Sequence, residues 1–446
     1  MPDLFSPLGA LPKFGAGVGL HRVAWLLEEL RASDWFRQLD AVRVTGSNGK
    51  GSVCAMLASI LRALGVTQGL YTSPHLFTFN ERFGLNGRAA ADEELAPSLE
   101  WLLARLASYQ RAWPADRPGA FEAFTALALH YYSRQAPEAL VVEAGIGGRY
   151  DATRVIPGQW VGLTSLELEH AALLGSRLEL IAYDKADLCP EGGTLVTGPL
   201  DPEVGRRLRA YCALRGVRLV DTTLISRVDG WRYASTAMLV DLQVEELAWR
   251  ELEIGLQGRH QVANAIVAIT LARGWTRRHR PELGDAAFRR GVAQGLARVA
   301  WPGRFQRIGS QPETWVDVGH TPDAMERLVE TAREVIGARP VVLVTGVSED
   351  KPAEGILARL APLAATVVCT RAHHKGRSVA SIAEAVARHA PQAVLHRVEQ
   401  VERALELGQR LASEQGGVVL VAGSLFLAAE AMQAARGRDP QALRFF

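Results

Sequence analysis

The segment Val42-Arg-Val-Thr-Gly46-Ser47-Asn48-Gly49-Lys50-Gly51-Ser52 constrains this chain more than any other. A β-branched run predicts a strand, followed by a glycine-rich turn and a helix that opens near Gly49. Glycines let such a turn fold back, so that several backbone N–H groups point at one spot. The helix N-terminus adds partial positive charge there. Lys50 supplies an ammonium, and Ser52 a hydroxyl within reach of Mg²⁺. The expected product is a cradle for nucleotide phosphates. Its spacing, Gly46-x-x-Gly49-Lys50-Gly51-Ser52, is shorter than G-x-x-x-x-G-K-[ST] and carries an extra glycine before the serine. The competing interpretation, a βα turn that binds nothing, leaves the coincidence of strand, lysine, hydroxyl and helix unexplained.

Composition excludes several classes. The chain has 446 residues, 48% hydrophobic and 22% charged, which fits two or three soluble domains. A net charge of +2 provides no basic field for nucleic acid. Cys54, Cys189, Cys212 and Cys369 are scattered without a C-x-x-C pair, as in a reducing compartment. The N-terminus lacks a signal-peptide pattern, and no apolar run approaches the roughly 18 residues of a membrane span. A cytoplasmic protein without membrane or nucleic-acid partners is expected. Only Lys13, Lys50, Lys185, Lys351 and Lys375 are lysine; every other basic residue is arginine. In such a background a lysine marks a place where a compact ammonium or a nucleophilic amine is wanted.

Helix and strand patterns alternate along the chain. Strands are predicted at Ala41–Thr45, Gly69–Thr72, Leu140–Glu143, Val161–Thr164, Gly193–Thr197 and Val217–Val220, with helices between them. Repeated βαβ units imply a mostly parallel sheet of P-loop type with helices on both faces. Between Thr223 and Gly255 the alternation of Ala237-Met-Leu-Val-Asp-Leu suggests a small antiparallel insert. Trp301-Pro-Gly303 breaks the pattern. Beyond it strands are expected at Trp315–Val318, Val341–Thr345, Thr366–Thr370, Val394–Arg397 and Val418–Ala422, a smaller Rossmann-like α/β domain. The division expected is 1–297 for an ATP-binding domain and 298–446 for a C-terminal ligase domain.

Polar groups recur where these strands end, the edge at which open α/β sheets bind ligands. Glu143 closes one strand before the glycine loop that carries Arg149 and Asp151, a natural place for a Mg²⁺ ligand. Thr164-Ser-Leu-Glu-Leu-Glu169-His170 follows the next strand and puts His170 on the same edge. Ser73, in Tyr71-Thr-Ser-Pro-His-Leu76, could bind metal or phosphate or simply cap a turn. Lys185 lies late in a helix and, taken alone, reads as an exposed charge. In the second domain, polar residues follow strand ends at Asp317-Val-Gly-His320, Gly346–Lys351 and Gly423-Ser424.

Together, Val44–Ser52, Tyr71–Leu76 with Asn80-Glu-Arg82, Glu143–Thr153, Gly258-Arg-His-Gln-Val-Ala-Asn264, Trp301-Pro-Gly-Arg304, Asp317–His320 and Gly423-Ser-Leu-Phe426 resemble the folylpolyglutamate synthase / dihydrofolate synthase family of the Mur-ligase group. The matches run in the family's order over nearly the whole chain. The resemblance implies an ATP-dependent ligase that joins L-glutamate to a pterin-type acid, dihydropteroate or a folate, through an acyl phosphate. It implies that Gly46–Ser52, Lys50 included, holds the β- and γ-phosphates, and that Ser73, Glu143 and His170 coordinate Mg²⁺ at one of two metal sites. By the same resemblance Lys185 carries CO₂ as a carbamate beside the second metal. Asn264 contacts adenine, and Arg304, Asp317 and His320 reach the nucleotide or the amino acid. The family is mostly monomeric.

The sequence departs from the family pattern at a few positions. Glu169 precedes His170 where aspartate is usual, and Ala171 and Ala172 follow it. Thr321 replaces the asparagine after His320, Arg154 replaces another, and Asp184-Lys-Ala-Asp187 stands for E-K-A-G. These changes cluster where acceptor or amino acid could be sensed. Two other interpretations compete: a Mur-type ligase of specialised metabolism acting on another aromatic acid, and a catalytically decayed nucleotide-binding protein.

Overall fold

The computed structural model describes residues 4–9, 11–13, 15–168 and 175–445. Its strands are β1 (Val42–Thr45), β2 (Gln68–Tyr71), β3 (Phe83–Leu85), β4 (Arg88–Ala89), β5 (Ala139–Glu143), β6 (Trp160–Leu163), β7 (Thr194–Thr197), β8 (Arg218–Asp221), β9 (Ser226–Tyr233), β10 (Met238–Val244), β11 (Leu247–Ile254), β12 (Gln306–Ser310), β13 (Glu313–Val316), β14 (Val341–Thr345), β15 (Thr366–Cys369), β16 (Val394–Arg397) and β17 (Val418–Ala422).

The first sheet runs β4-β3-β2-β5-β1-β6-β7-β8. From β2 to β8 neighbouring strands are parallel, whereas β3 and β4 pair antiparallel at one edge. The chain leaves β1 towards β2 on one side and later fills the other side with β6, β7 and β8. The switch point therefore lies at β1, between β5 and β6, and the crevice at their carboxyl ends is the place for a ligand. Strand β1 is buried along its whole length. The helix Lys50–Ala63 is buried almost all round, because the sheet covers one side and the helices Arg259–His279 and Asp285–Ala297 the other.

Strands β9, β10 and β11 form the separate antiparallel sheet. Along β10 buried and part-exposed residues alternate, and its buried Met238, Val240 and Leu242 join the core of the first lobe. The long helix Arg259–His279 follows β11.

The second lobe is a sheet of order β12-β13-β17-β14-β15-β16, parallel except for β12. The short antiparallel strands β3, β4 and β12 lack a marked hydrophobic run, and periodicity alone passes over them. Segments of each lobe reach across to the other. Leu76 and Phe77, from the loop after β2, pack into the core of the second lobe. The tail crosses back: Arg444 offers its carbonyl to His75 Nε2 at 2.8 Å, and the Phe445 ring stacks on His75 at 5.5 Å. Burial and the nearby Arg82 push the His75 pKa down to about 3, so the imidazole is neutral. Its Nδ1 accepts from Arg82 Nε at 3.0 Å while Nε2–H donates to Arg444. Among the described residues no helix is long and apolar enough to cross a membrane.

Candidate active site

The turn after β1 has the backbone the glycines were expected to allow. Gly46 (φ 144°) and Gly49 (φ 84°) both lie in the region that favours glycine. Close approach matters as much as φ. A Cβ on Gly46 would lie 2.0 Å from Thr164 Oγ1, and one on Gly49 would lie 2.6 Å from Asn264 Oδ1. Asn264 therefore borders the turn, held by a 3.0 Å hydrogen bond from its Nδ2 to Gln261 Oε1. Trp301, from the connection between the lobes, covers Gly51, whose Cβ would meet its Nε1 at 2.8 Å. Lys50 Nζ donates to the carbonyls of Gly46 (2.9 Å) and Ser47 (3.1 Å), which sets the ammonium over the turn. Ser52 is buried in the first turn of the helix that follows.

Ser73 and Glu143 end adjacent strands, and they meet: the Ser73 N–H donates to Glu143 Oε2 at 3.1 Å. Glu143 is only 6% exposed. Burial raises its pKa, and Lys50, the Ser73 N–H, Arg304 and Arg82 oppose that rise. Asp317, from the second lobe, accepts from Gly319 N (2.7 Å) and Phe305 N (2.9 Å), and so fixes the bend that carries Arg304. Burial lowers the pKa of Arg304, against the opposing pull of Asp317 and Glu143. One group of charges, Lys50 and Arg304 against Glu143 and Asp317, thus spans both lobes, with Glu143 buried and the other three part-buried. His320 sits after Asp317 with Nδ1 placed 3.0 Å from the carbonyl of Val318.

Lys185 is 1% exposed, which removes the exposed-charge interpretation. It lies in the last turn of the helix Leu178–Ala186, under the glycine loop. Gly148 N donates to Asp184 Oδ2 at 2.9 Å, and a Cβ on Gly148 would lie 2.6 Å from the carbonyl oxygens of both Asp184 and Lys185. Asp151 is occupied in shaping the same loop, accepting from Gly145 N (2.8 Å), Ile146 N (3.0 Å) and Thr153 N (2.9 Å). Arg149 Nε donates to Asp187 at 2.6 Å, one of the positions where the sequence departs from the family pattern. His170 lies outside the described residues.

The donor chemistry at Ser73 and Glu143 suits a hard cation that takes oxygen ligands. Among the described residues no group of three or more His, Cys, Asp and Glu side chains is gathered to hold a metal.

One residue of this region escaped the sequence argument. Glu167 follows β6 and joins the turn to the second lobe: its N–H donates to Ser47 Oγ at 3.0 Å, and its carboxylate accepts from Asn48 Nδ2 and Thr321 Oγ1. The available signal was an acid just past a strand end, the same signal that marked Glu143.

Comparison with known proteins gives a consistent picture. Residues 303–425 match the family model described as Mur ligase, glutamate ligase domain. The chain is 31% identical over 331 residues to the folylpolyglutamate synthase of Lacticaseibacillus casei, covering 73% of this chain and 75% of that protein. It is 29% identical over 356 residues to the dihydrofolate synthase/folylpolyglutamate synthase of Bacillus subtilis, covering 79% and 80% respectively. The solved structure of Mycobacterium tuberculosis folylpolyglutamate synthase complexed with ADP is similar with a TM-score of 0.86 at 26% identity, covering 98% of each chain.

Proposed function

Since the chain belongs to the folylpolyglutamate synthase / dihydrofolate synthase family of ATP-dependent Mur-type ligases, we propose that it couples L-glutamate to dihydropteroate, to a folate, or to both. The observation that carries this reading is the charge group drawn from both lobes around the buried Glu143, with part-buried Lys50, Arg304 and Asp317. A protein that only binds a nucleotide has no need of it.

The chemistry follows from what a carboxylate lacks. An amine cannot displace oxide from it, so a leaving group must be made. An oxygen of the acceptor carboxylate attacks the γ-phosphorus of ATP, the bond to the β-phosphate oxygen breaks, and ADP departs. The glutamate amine then attacks the carbonyl carbon of the acyl phosphate. The tetrahedral intermediate loses a proton and expels phosphate, leaving the amide.

In this reading the N–H groups of residues 46–52 and the Lys50 ammonium hold the β- and γ-phosphates and balance their charge. Ser73 and Glu143, with His170, would hold Mg²⁺, which when bound supplies further neutralisation of phosphate charge. Asn264 is assigned to the adenine. Arg304 is aimed by Asp317 at the transferred phosphoryl group, and His320 stands on the side of the incoming amine. Lys185, carbamylated or not, is held under the loop that follows Glu143. Apposed lobes bring acyl phosphate and amine together and keep water from the intermediate.

The test is a panel of acids, each with MgATP and L-glutamate: dihydropteroate, tetrahydrofolate and simple aryl acids. Glutamate-dependent ADP formation with dihydropteroate or tetrahydrofolate is expected. Turnover with aryl acids alone would move the chain to another acid substrate, and no turnover with any acid would remove the ligase chemistry.

A further inference from the structure

We propose that Glu167, Asn48 and Thr321 form a latch that holds the second lobe against the phosphate turn, and that Glu167 and Thr321 are positioning residues for the ligase reaction. The inference rests on the function proposed above and adds residues to which that function assigned no role.

The observation is a closed ring of hydrogen bonds across the seam between the lobes. Asn48 Nδ2 has two hydrogens, one donated to Glu167 Oε1 and the other to Thr321 Oγ1 at 3.3 Å. The Thr321 hydroxyl donates to Glu167 Oε2 at 3.3 Å and accepts from Asn48 Nδ2 and from Ala324 N at 3.2 Å. Its single hydrogen and both lone pairs are therefore used. The amide orientation of Asn48 follows from the ring, because only its nitrogen can donate to both oxygens.

Each member is anchored behind the ring. Asn48 N donates to Ser165 Oγ at 3.0 Å, and Glu167 N donates to Ser47 Oγ at 3.0 Å, so Glu167 is tied to the phosphate turn by main chain as well as side chain. Thr321 opens the helix Pro322–Ile336 of the second lobe and lies four residues beyond Asp317, which positions Arg304. Displacement of Thr321 would therefore move Asp317 and Arg304 relative to the phosphate turn. Charge-assisted bonds to Glu167 make the ring stronger than neutral hydrogen bonds alone would. Thr321 is also a position where the sequence departs from the family pattern, so the hydroxyl that closes this ring belongs to this chain.

Three variants separate a latch from a local structural contact. Glu167→Ala removes the acceptor. Thr321→Asp keeps an acceptor for Ala324 N, and with it the helix cap, but places a second carboxylate against Glu167. Thr321→Ser keeps the hydroxyl. Loss of a bond to a charged group changes an equilibrium by about tenfold. The expected result is a drop of about tenfold in kcat for Glu167→Ala and for Thr321→Asp, with the affinity for a non-hydrolysable ATP analogue held within about twofold and with recovery in Thr321→Ser. The double variant discriminates further: without Glu167 the carboxylate introduced at position 321 can accept from Asn48 Nδ2, so Glu167→Ala/Thr321→Asp should be more active than Thr321→Asp alone. Losses that multiply instead, to about a hundredfold, would overturn the latch.

A second measurement does not depend on catalysis. All four native cysteines are buried, so spin labels can be directed to Ala107→Cys on the first lobe and Ala380→Cys on the second, both exposed. A single interlobe distance is expected with and without Thr321→Ser, and a longer or broader distribution with Thr321→Asp. Identical distributions in all variants would refute the latch, whereas absent turnover in the wild type with an intact distance effect would refute only the proposed function.

Discussion

Gly148→Ala tests the placement of Lys185 with a single methyl group. Gly148 is not among the positive-φ glycines, so alanine suits its backbone and the effect is steric. The added Cβ would lie 2.6 Å from the carbonyl oxygens of Asp184 and Lys185 and 2.9 Å from Lys185 Cα, where ordinary contact begins near 3.4 Å. All three atoms are backbone and cannot rotate away. The loop and the helix must therefore part by about 0.8 Å, stretching the 2.9 Å bond from Gly148 N to Asp184 and carrying the Lys185 end of the helix with it. Overpacking of this kind costs about 1–3 kcal/mol of stability, and a misplacement of about 1 Å near reacting atoms costs about 10²-fold in rate. The assay is kcat for glutamate-dependent ADP formation, with thermal denaturation to show the variant folded. Gly145→Ala is the internal comparison: its Cβ would meet the Phe121 ring at 2.7 Å, a side chain that can shift, and a loss below about tenfold is expected. A Gly148→Ala enzyme within twofold of wild type would show that the fit of loop to helix has no bearing on catalysis.

Lys50→Ala should lose about 10²–10³-fold or more in turnover with an unchanged fold, read by steady-state kinetics and circular dichroism; near-normal turnover would refute the phosphate assignment. Lys185→Ala should be inactive and partly restored by formate or acetate if the amine carries a carbamate, and a fully active variant would dismiss the residue from the site. Glu430 gives a pH prediction away from the site. Burial, chiefly, and the nearby Glu402 raise its pKa from 4.5 to about 7, against the N–H bonds from His373 and His374. The folded protein therefore holds a proton that the unfolded chain has lost between those values. The stabilising contribution, on the order of 3 kcal/mol, is present below about 4.5 and lost as pH rises through about 7. Urea unfolding of Glu430→Gln should lack this decline; a decline equal to the wild type would assign it to another group.

Much of this site could be found in the sequence because its parts are local. The candidate phosphate turn is one uninterrupted segment, and the positive φ of Gly46 and Gly49 is a requirement local to it, although Thr164, Asn264 and Trp301 crowd the same glycines from outside. Glu143 and Ser73 sit at strand ends, and strand ends in a parallel sheet share one edge. Lys185 was harder. Its helix shows no pattern that would bury a lysine, and the glycine loop packed on its backbone at Gly148 lies 37 positions away in the chain. The ring through Glu167 was out of reach, because Asn48 and Thr321 are 273 residues apart and meet only when the lobes are set against each other. The same holds for the tail, where Phe445 and His75 meet across the seam. The edge strands β3, β4 and β12 left no period to read, being two to five residues long.

A crystal of the protein grown with Mg²⁺ and a non-hydrolysable ATP analogue tests the central claim most directly. The account predicts β- and γ-phosphate density against the N–H groups of residues 46–52, with Lys50 Nζ turned from the carbonyls of Gly46 and Ser47 onto the phosphates and Arg304 facing them from the second lobe. Nucleotide bound away from this turn, or bound there with Lys50 still on those carbonyls and Arg304 directed elsewhere, would contradict it.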